Sequence, residues 1–294
     1  MARPLWRRVY VAVMVDNPQV DAWNGESGRA WVEHVDHFDH MLAPFGEAVL
    51  DRLGLRPGDR VIDIGCGVGA TTLAIAALVA PARAVGVDIS VTMLESALTR
   101  ASATGCINVE FRHHDVQDEP LEAAAFDVAF SRFGVMFFPE PDRAFANVRQ
   151  SLVSGGRFGF VCFQRSSDNP MILQPVMAAA VHVDVLPSPG PTEPGPFSLA
   201  DPDRVRSLLH GAGFADVVID PGPSSADLGS AHDLEGAARR AIEQNPGIAP
   251  GFASASRADR EAAVAAAMEA MSRHIVDGRV VMGAATWVVS ARVR

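Results

Sequence analysis

The sequence predicts an α/β protein built on a doubly wound, mostly parallel sheet. Three observations predict it. Between about residues 58 and 165, short apolar runs with a β-branched bias alternate with Ala- and Leu-rich segments long enough for helices, the pattern of repeated strand–helix–strand units. A glycine-rich turn, VIDIGCGVGA at 61–70, follows the first apolar run, where such a sheet places its ligand site. The chain has 294 residues, 48% hydrophobic and 20% charged, enough apolar material for a sizeable core.

Residues 1–20 read as a leader. MARPLWRRVYVAVMVDNP puts basic residues before an apolar run, Val9–Val15, and so mimics a signal peptide. The run is short and no small-residue cleavage site follows it, so a loosely held leader or an extra edge strand is expected. Residues 21–57 read as a helical cap, with one helix over Ala22–Gly46 that sets Trp31, Val35, Phe38 and Leu42 in a single stripe. At about 100° per residue, His34 borders that stripe, His37 lies further round, and His40 points nearly away. His37 and His40 are therefore expected in solvent. The run of His34, His37 and His40 with Asp36 and Asp39 fans out too widely to converge on a metal, and no metal site is expected.

The core, 58–165, carries strands at Arg60–Ile64, Ala84–Ile89, Val109–His113, Phe126–Ser131 and Arg157–Phe163. Its helices are Thr71–Val79, one capped by Ser90 and running to about Ala103, and Asp142–Leu152 before Gly155-Gly156. Asn169–Val185 reads as one apolar helix, and 186–197 is too rich in proline for regular structure. Residues 166–200 and 222–252 are read as insertions forming a lid over a substrate pocket. The core resumes at 201–221 and 253–294, with helices at Ala200–Phe214 and Ala258–His274, a strand at Ala215–Ile219, and one long strand at Arg279–Arg292.

A net charge of −10 argues against nucleic acid as a partner, because phosphate contacts need clustered Lys and Arg. No window of twenty apolar residues exists, so no membrane span is expected. Cys66, Cys106 and Cys162 are far apart and odd in number, which suits a reducing cytoplasm without disulfides. The oligomeric state, monomer or homodimer, stays open.

The glycine turn has two candidate owners. As Gly65-x-Gly67-x-x-Ala70 it fits a dinucleotide fingerprint. As Asp63-x-Gly65-x-Gly67-x-Gly69 it fits an S-adenosylmethionine loop. Asp88, ending the second strand, can accept from ribose hydroxyls in either case. Asp63 favours the second owner, since an acid beside a pyrophosphate repels it whereas an acid beside an ammonium attracts it. Asp115, just past the third strand, is placed to accept from an adenine amino group. FDVAFSRFGVMFF (126–138) is an apolar fourth strand running into an aromatic, methionine-bearing segment.

The order VIDIGCGVGATT, VGVDIS, HHDV and FDVAFSRFGVMFF, then PDRAFANVRQSLVSGGRF, resembles class I S-adenosylmethionine-dependent methyltransferases. The small-molecule group that includes ubiquinone and menaquinone methyltransferase-like enzymes is the nearest in character. The resemblance covers roughly residues 58–165, and ADPDRVRSLLHGAGF also looks like a later helix of the family. It implies a Rossmann-like, seven-stranded sheet whose last strand, Arg279–Arg292, is antiparallel. Gly65, Cys66, Gly67 and Gly69 would pass beneath the methionine part of the cofactor, with Asp63 near its ammonium. Asp88 would take the ribose, Ile89 and Met93 would pack on the adenine, and Asp115 with the backbone of Val116 would read its edge. Ser131 would lie beside the sulfonium. Ser154 departs from the family's usual proline before Gly-Gly, which concerns a turn only.

Methyl transfer needs alignment more than any particular side chain, because the cofactor carries the reactive group. His34 is the candidate base, with an ordinary pKa near 6.5 and a packing role as the alternative. Trp31, with Trp23, is a candidate cover for the methionine end. Arg132 is a candidate for binding a carboxylate, and Phe133, Met136 and Phe163 are candidates for lining an apolar acceptor pocket. The expected function is methyl transfer from S-adenosylmethionine, leaving S-adenosylhomocysteine, to a small organic acceptor. An NAD-dependent oxidoreductase and a non-catalytic S-adenosylmethionine-binding protein are the rivals.

Overall fold

The structure is a computed structural model, and it describes residues 18–187 and 189–294. Most of the expected leader lies outside the described residues. The described chain begins with three helices, α1 (Pro18–Asn24), α2 (Glu26–Glu33) and α3 (Val35–Leu53). The single helix expected over Ala22–Gly46 is thus corrected: it is broken at Gly25 and at His34 (φ −109°, ψ 30°). Long-range docking causes the first break. Asn24 donates from Nδ2 to the Ile89 carbonyl at 3.0 Å and accepts from Val91 N at 2.9 Å, and Ser90 Oγ donates to the Trp23 carbonyl at 2.6 Å.

The core continues as β1 (Val61–Ile64), α4 (Ala70–Val79), β2 (Ala84–Asp88), α5 (Val91–Thr104), β3 (Val109–His113), β4 (Phe126–Arg132), α6 (Pro141–Ser151) and β5 (Leu152–Phe163). These match the sequence reading closely because each is set locally. Ser90 caps α5 by accepting from Met93 N at 3.2 Å, and Gly105 ends it in the left-handed conformation. Next come α7 (Pro170–Ala179), α8 (Pro202–Gly211), β6 (Phe214–Pro221), β7 (Ser225–Ser230), α9 (Leu234–Glu243), α10 (Ala249–Ser254), α11 (Arg257–Ser272), β8 (Ile275–Val276), β9 (Arg279–Gly283) and β10 (Thr286–Val293).

Seven strands form the main sheet in the order β3-β2-β1-β4-β5-β10-β6. All are parallel except β10, which runs antiparallel to both its neighbours. This is the Rossmann-like methyltransferase arrangement, with the order switching direction at β1 and β4. Every residue of β1 is buried, as a central parallel strand requires. Helix α3 packs on β4, β5 and β10, α4 and α5 on the β1–β3 side, and α8 on β6. Phe45, Phe130, Phe145, Phe158, Phe160, Ile62 and Ile75 are fully buried between these layers.

Two further expectations, the strand at Arg279–Arg292 and the helix at Asn169–Val185, are corrected. Arg279–Arg292 is not one strand. β9 belongs to a separate antiparallel sheet, β7-β9-β8, and only β10 enters the main sheet. The switch is made at Ala285, whose N–H donates to Asn169 Oδ1 at 2.8 Å while Asn169 Nδ2 reaches the Ala285 carbonyl at 3.1 Å. Asn169 is fully buried. Residues 222–252 hold regular elements. They carry β7, α9 and α10, which pack with α7 and α11 into a layer lying against α3. The expected Asn169–Val185 helix stops at Ala179.

Candidate functional site

The site lies where β1 and β4 end. The chain leaves β1 through Gly65, Gly67 and Gly69, all left-handed (φ +67°, +55° and +80°), and enters α4. The loop is held from within. Gly65 N and Cys66 N both donate to the Val87 carbonyl, at 2.9 and 3.1 Å, Gly69 N donates to the Cys66 carbonyl at 3.0 Å, and Gly67 N donates to Asp88 Oδ2 at 2.8 Å. Asp88 also accepts from Ser90 N at 2.8 Å. Its pKa is raised by burial, against the pull of these N–H groups. A Cβ on Gly67 would meet Met93 Cε at 2.8 Å, so the Met93 side chain closes on the loop from α5.

Asp63 is buried beneath the loop. Its Oδ2 accepts from Thr71 Oγ1 at 2.8 Å and Thr72 Oγ1 at 2.7 Å, which ties the first turn of α4 to β1. Its Oδ1 has no donor. Burial pushes its pKa up to about 6, with the two threonines and Arg132 pulling the other way. Cys66 is buried within the loop, and burial together with Asp88 and Asp63 drives its pKa upward, so it stays a neutral thiol. Ser131 is fully buried, and its hydroxyl donates to the Ile64 carbonyl at 2.7 Å. The hydroxyl thereby ties β4 to β1.

Asp115 and Val116 form the next corner. Asp115 Oδ1 accepts from Gln117 N at 3.0 Å, and Asn147 of α6 donates to the Val116 carbonyl at 2.8 Å. Ile89 is half-buried, under Asn24. Above this edge runs an aromatic ladder: Phe137 meets Trp23 at 5.2 Å between centroids, Trp23 meets Trp31 at 5.8 Å, and Trp31 stacks on Phe38 at 3.9 Å. The α1–α2 corner thus sits over the ends of β2 and β4, with Trp31 inside it.

The histidines of α3 differ from expectation. His34 is half-buried at the α2–α3 junction. His37 is half-buried as well, which corrects its reading as solvated, and its pKa is lowered to about 4 by burial and then by Arg240, His34 and His40. His40 is exposed yet engaged: its Nε2 lies 3.1 Å from Asp227 Oδ2 and 2.9 Å from Arg279 Nη2. These partners come from β7 (Asp227), β9 (Arg279) and α9 (Arg240). Among the described residues, no group of three or more His, Cys, Asp or Glu side chains is placed to hold a metal.

Arg132 ends β4 with its side chain 10% exposed, Nη2 lying 3.9 Å from Asp39 Oδ1. Burial lowers its pKa while Asp39 and Asp63 hold it up. Phe133 has a left-handed backbone (φ +63°), stacks on Phe163 at 4.4 Å and meets Phe45 at 5.5 Å. Such an outlier is strained and must be held by its surroundings. Met136 and Phe163 are buried in the core. Phe163 N donates to Met136 Sδ at 3.5 Å, and the Met136 carbonyl accepts from Gly195 N and Ser198 Oγ at 3.0 and 2.6 Å.

Asp39, Arg100 and Gly134 are site residues that sequence reasoning missed. Asp39 pairs with Arg100, which also donates to the Val68 carbonyl in the loop at 3.0 Å. Gly134 touches Gly65: a Cβ on Gly65 would lie 2.8 Å from Gly134 Cα. Only the FSRFGVMFF context marks Gly134, and nothing local marks Asp39.

Residues 61–156 match the family described as "Methyltransferase domain". The aklanonic acid methyltransferase DauC of Streptomyces sp. (strain C5) is 33% identical over 121 residues, 41% of this chain and 55% of that protein. The nocamycin O-methyltransferase of Saccharothrix syringae is 29% identical over 186 residues, 60% of this chain and 66% of that one. Among solved structures, a Haemonchus contortus phosphoethanolamine N-methyltransferase with phosphomonomethylethanolamine and S-adenosylhomocysteine aligns at a TM-score of 0.59 and 18% identity, covering 96% of this chain and 61% of that one. That likeness is one of fold. The chain spans 42% of the length of the mycobacterial relatives it also matches. Residues 61–156, about a third of the chain, are thus similar to a methyltransferase domain.

Proposed function

We propose that the protein transfers a methyl group from S-adenosylmethionine to a small, partly apolar organic acceptor, releasing S-adenosylhomocysteine. One observation carries the reading over its dinucleotide rival. The N–H groups of Gly65, Cys66, Gly67 and Gly69 are all donated inside the protein, to Val87, Asp88 and Cys66. A pyrophosphate on a glycine loop needs those donors. An amino-acid end does not, and the unpartnered Asp63 Oδ1 asks for a donor, which an ammonium supplies.

Bound there, S-adenosylmethionine supplies a methyl group made electrophilic by its sulfonium. The protein's residues then align and enclose. Asp88, anchored by Gly67 N and Ser90 N, takes the ribose hydroxyls on its remaining lone pairs. Ile89 and Met93 flank the adenine, and Asp115 with Val116 reads its edge. Ser131 holds the ends of β1 and β4 in register beside the sulfonium. Trp23 and Trp31 cover the site. A base is needed only where the acceptor must lose a proton, and His34 is the residue proposed for it. The relatives include both O- and N-methyltransferases. The fold by itself assigns no activity.

Calorimetry on the full chain tests the reading. S-Adenosylhomocysteine is expected to bind in the micromolar range and NADH not at all. Tight NADH binding without S-adenosylhomocysteine binding overturns it.

A further inference from the structure

Helix α9 presents its polar face to α2 and α3. At about 100° per residue, Arg239, Arg240, Glu243 and Gln244 share one side of the helix, opposite its buried Ala237, Ala238 and Ile242. That side borders the seam between the N-terminal helices and the cap layer. Arg239 and Glu243 line a cavity of about 340 Å³, walled also by Glu26 of α2, Phe252 of α10 and Arg260 of α11. One position round the helix, Arg240 faces the half-buried His37 of α3. The His37 ring lies edge-on to Phe38, 5.6 Å between centroids, and Phe38 stacks on Trp31. The seam therefore leads from the cavity at Glu26 to the aromatic cover of the proposed cofactor site.

The polar groups of this seam are not all paired. Arg239 Nη2 donates to Glu235 Oε1 at 3.1 Å, and Arg260 Nη1 donates to the Ala253 and Ala255 carbonyls at 3.2 and 2.8 Å. Arg240 Nη2 donates to Asp233 Oδ2 at 2.9 Å, and that acid is 61% exposed. Arg240 Nε and, one turn further on, Gln244 Nε2 are buried with no acceptor among the described residues. Arg240 is not sealed in, since 17% of its side chain remains exposed. Both unmet atoms carry N–H donors, so what they lack is an oxygen with lone pairs to share. A carboxylate answers the guanidinium's charge as well and bonds more strongly than a neutral carbonyl. We infer that the polar face of α9 recognises the methyl acceptor, and that Arg240 and Gln244 select an acceptor whose apolar body carries a carboxylate. This rests on the methyl transfer proposed above and names the class of molecule it acts on.

The test uses the full chain saturated with S-adenosylhomocysteine and two acid–amide pairs as probes, benzoate with benzamide and hexanoate with hexanamide. Arginine Nε–H resonances are followed by nitrogen–proton correlation during each titration, that of Arg240 being assigned by its loss in Arg240→Lys. At least one carboxylate is expected to bind about tenfold or more tightly than its amide, the scale of one charged hydrogen bond, and to shift the Arg240 Nε–H. Arg240→Gln should erase that preference. Gln244→Leu leaves the guanidinium in place and should weaken the carboxylate severalfold, which keeps the test available if Arg240→Gln does not fold. An Arg240 Nε–H that neither carboxylate moves is satisfied by water, and overturns the inference. So does equal affinity for acid and amide in both pairs, or a preference that survives in Arg240→Gln. Each of these results leaves the methyl-donor reading standing, because S-adenosylhomocysteine is bound throughout. If S-adenosylhomocysteine does not bind at all, that reading fails and the inference with it.

Discussion

Replacing Gly134 with alanine tests whether the loop and the exit of β4 are as tightly crossed as the structure shows. Gly134 is not in the left-handed region, so alanine carries no backbone penalty there and any effect is steric. The added Cβ would lie 2.7 Å from the Ile64 carbonyl oxygen, 3.0 Å from Gly65 Cα and 3.0 Å from Ser131 Oγ. Two of these neighbours are backbone and cannot rotate away. The third is the hydroxyl whose bond to Ile64 ties β4 to β1. Overpacking of this kind costs about 1–3 kcal/mol. Straining a buried hydrogen bond adds about 1 kcal/mol, so about 2–4 kcal/mol is expected in all. Gly65→Ala meets the same crossing from the other side, at 2.8 Å from Gly134 Cα with φ +67°, and adds about 1–2 kcal/mol of left-handed strain. The two substitutions relieve the same contact by the same displacement, so the double variant should lose less than the sum. Urea unfolding at unchanged m-value reads the stability, and S-adenosylhomocysteine titration should show affinity falling with it. Gly134→Ala within about 0.5 kcal/mol of wild type, with full affinity, would refute the crossing.

Asp63 makes the pH dependence specific. Its folded pKa is raised to about 6, so the folded chain holds its proton more tightly than the unfolded one. Its contribution to stability is fully present below the ordinary carboxylate pKa, near 4, and is lost as pH rises through 6, by on the order of 3 kcal/mol. His37, lowered to about 4, runs the other way: its contribution is present above about 6.5 and is lost as pH falls through 4. The difference in urea stability between wild type and Asp63→Asn isolates the first effect, and a difference that does not vary between pH 4 and 7 would sink it. An ammonium beside Asp63 favours the ionised form, so S-adenosylhomocysteine affinity should rise from pH 5 to 7. His34→Gln should lower kcat and spare S-adenosylhomocysteine affinity, and an unchanged kcat with an acceptor that must lose a proton would remove His34 as the base.

Much of the glycine loop and of the elements around it was legible because their signals are local. Gly65, Gly67 and Gly69 are needed wherever a strand turns this sharply into a helix, and Ser90 caps α5 whatever the rest of the chain does. The cap layer was not legible. Its buried positions are Ala226 and Leu228 on β7, and Ala237, Ala238 and Ile242 on α9. Small residues spaced among Gly, Pro and Ser leave a weak periodic signal. The break between β9 and β10 was hidden for a different reason. It is made by Asn169, 116 residues away from Ala285 in sequence.

The sequence alone determined the doubly wound sheet and the glycine turn after its first strand, because strand–helix alternation and glycine spacing are properties of neighbouring residues. Only the tertiary structure decided how the loop's N–H groups are used, that Ser131 braces two strands, and that Asp39 comes to lie beside Arg132. Those depend on where four separate elements meet. A carboxylate's partners across such a junction leave no mark in its own stretch of chain.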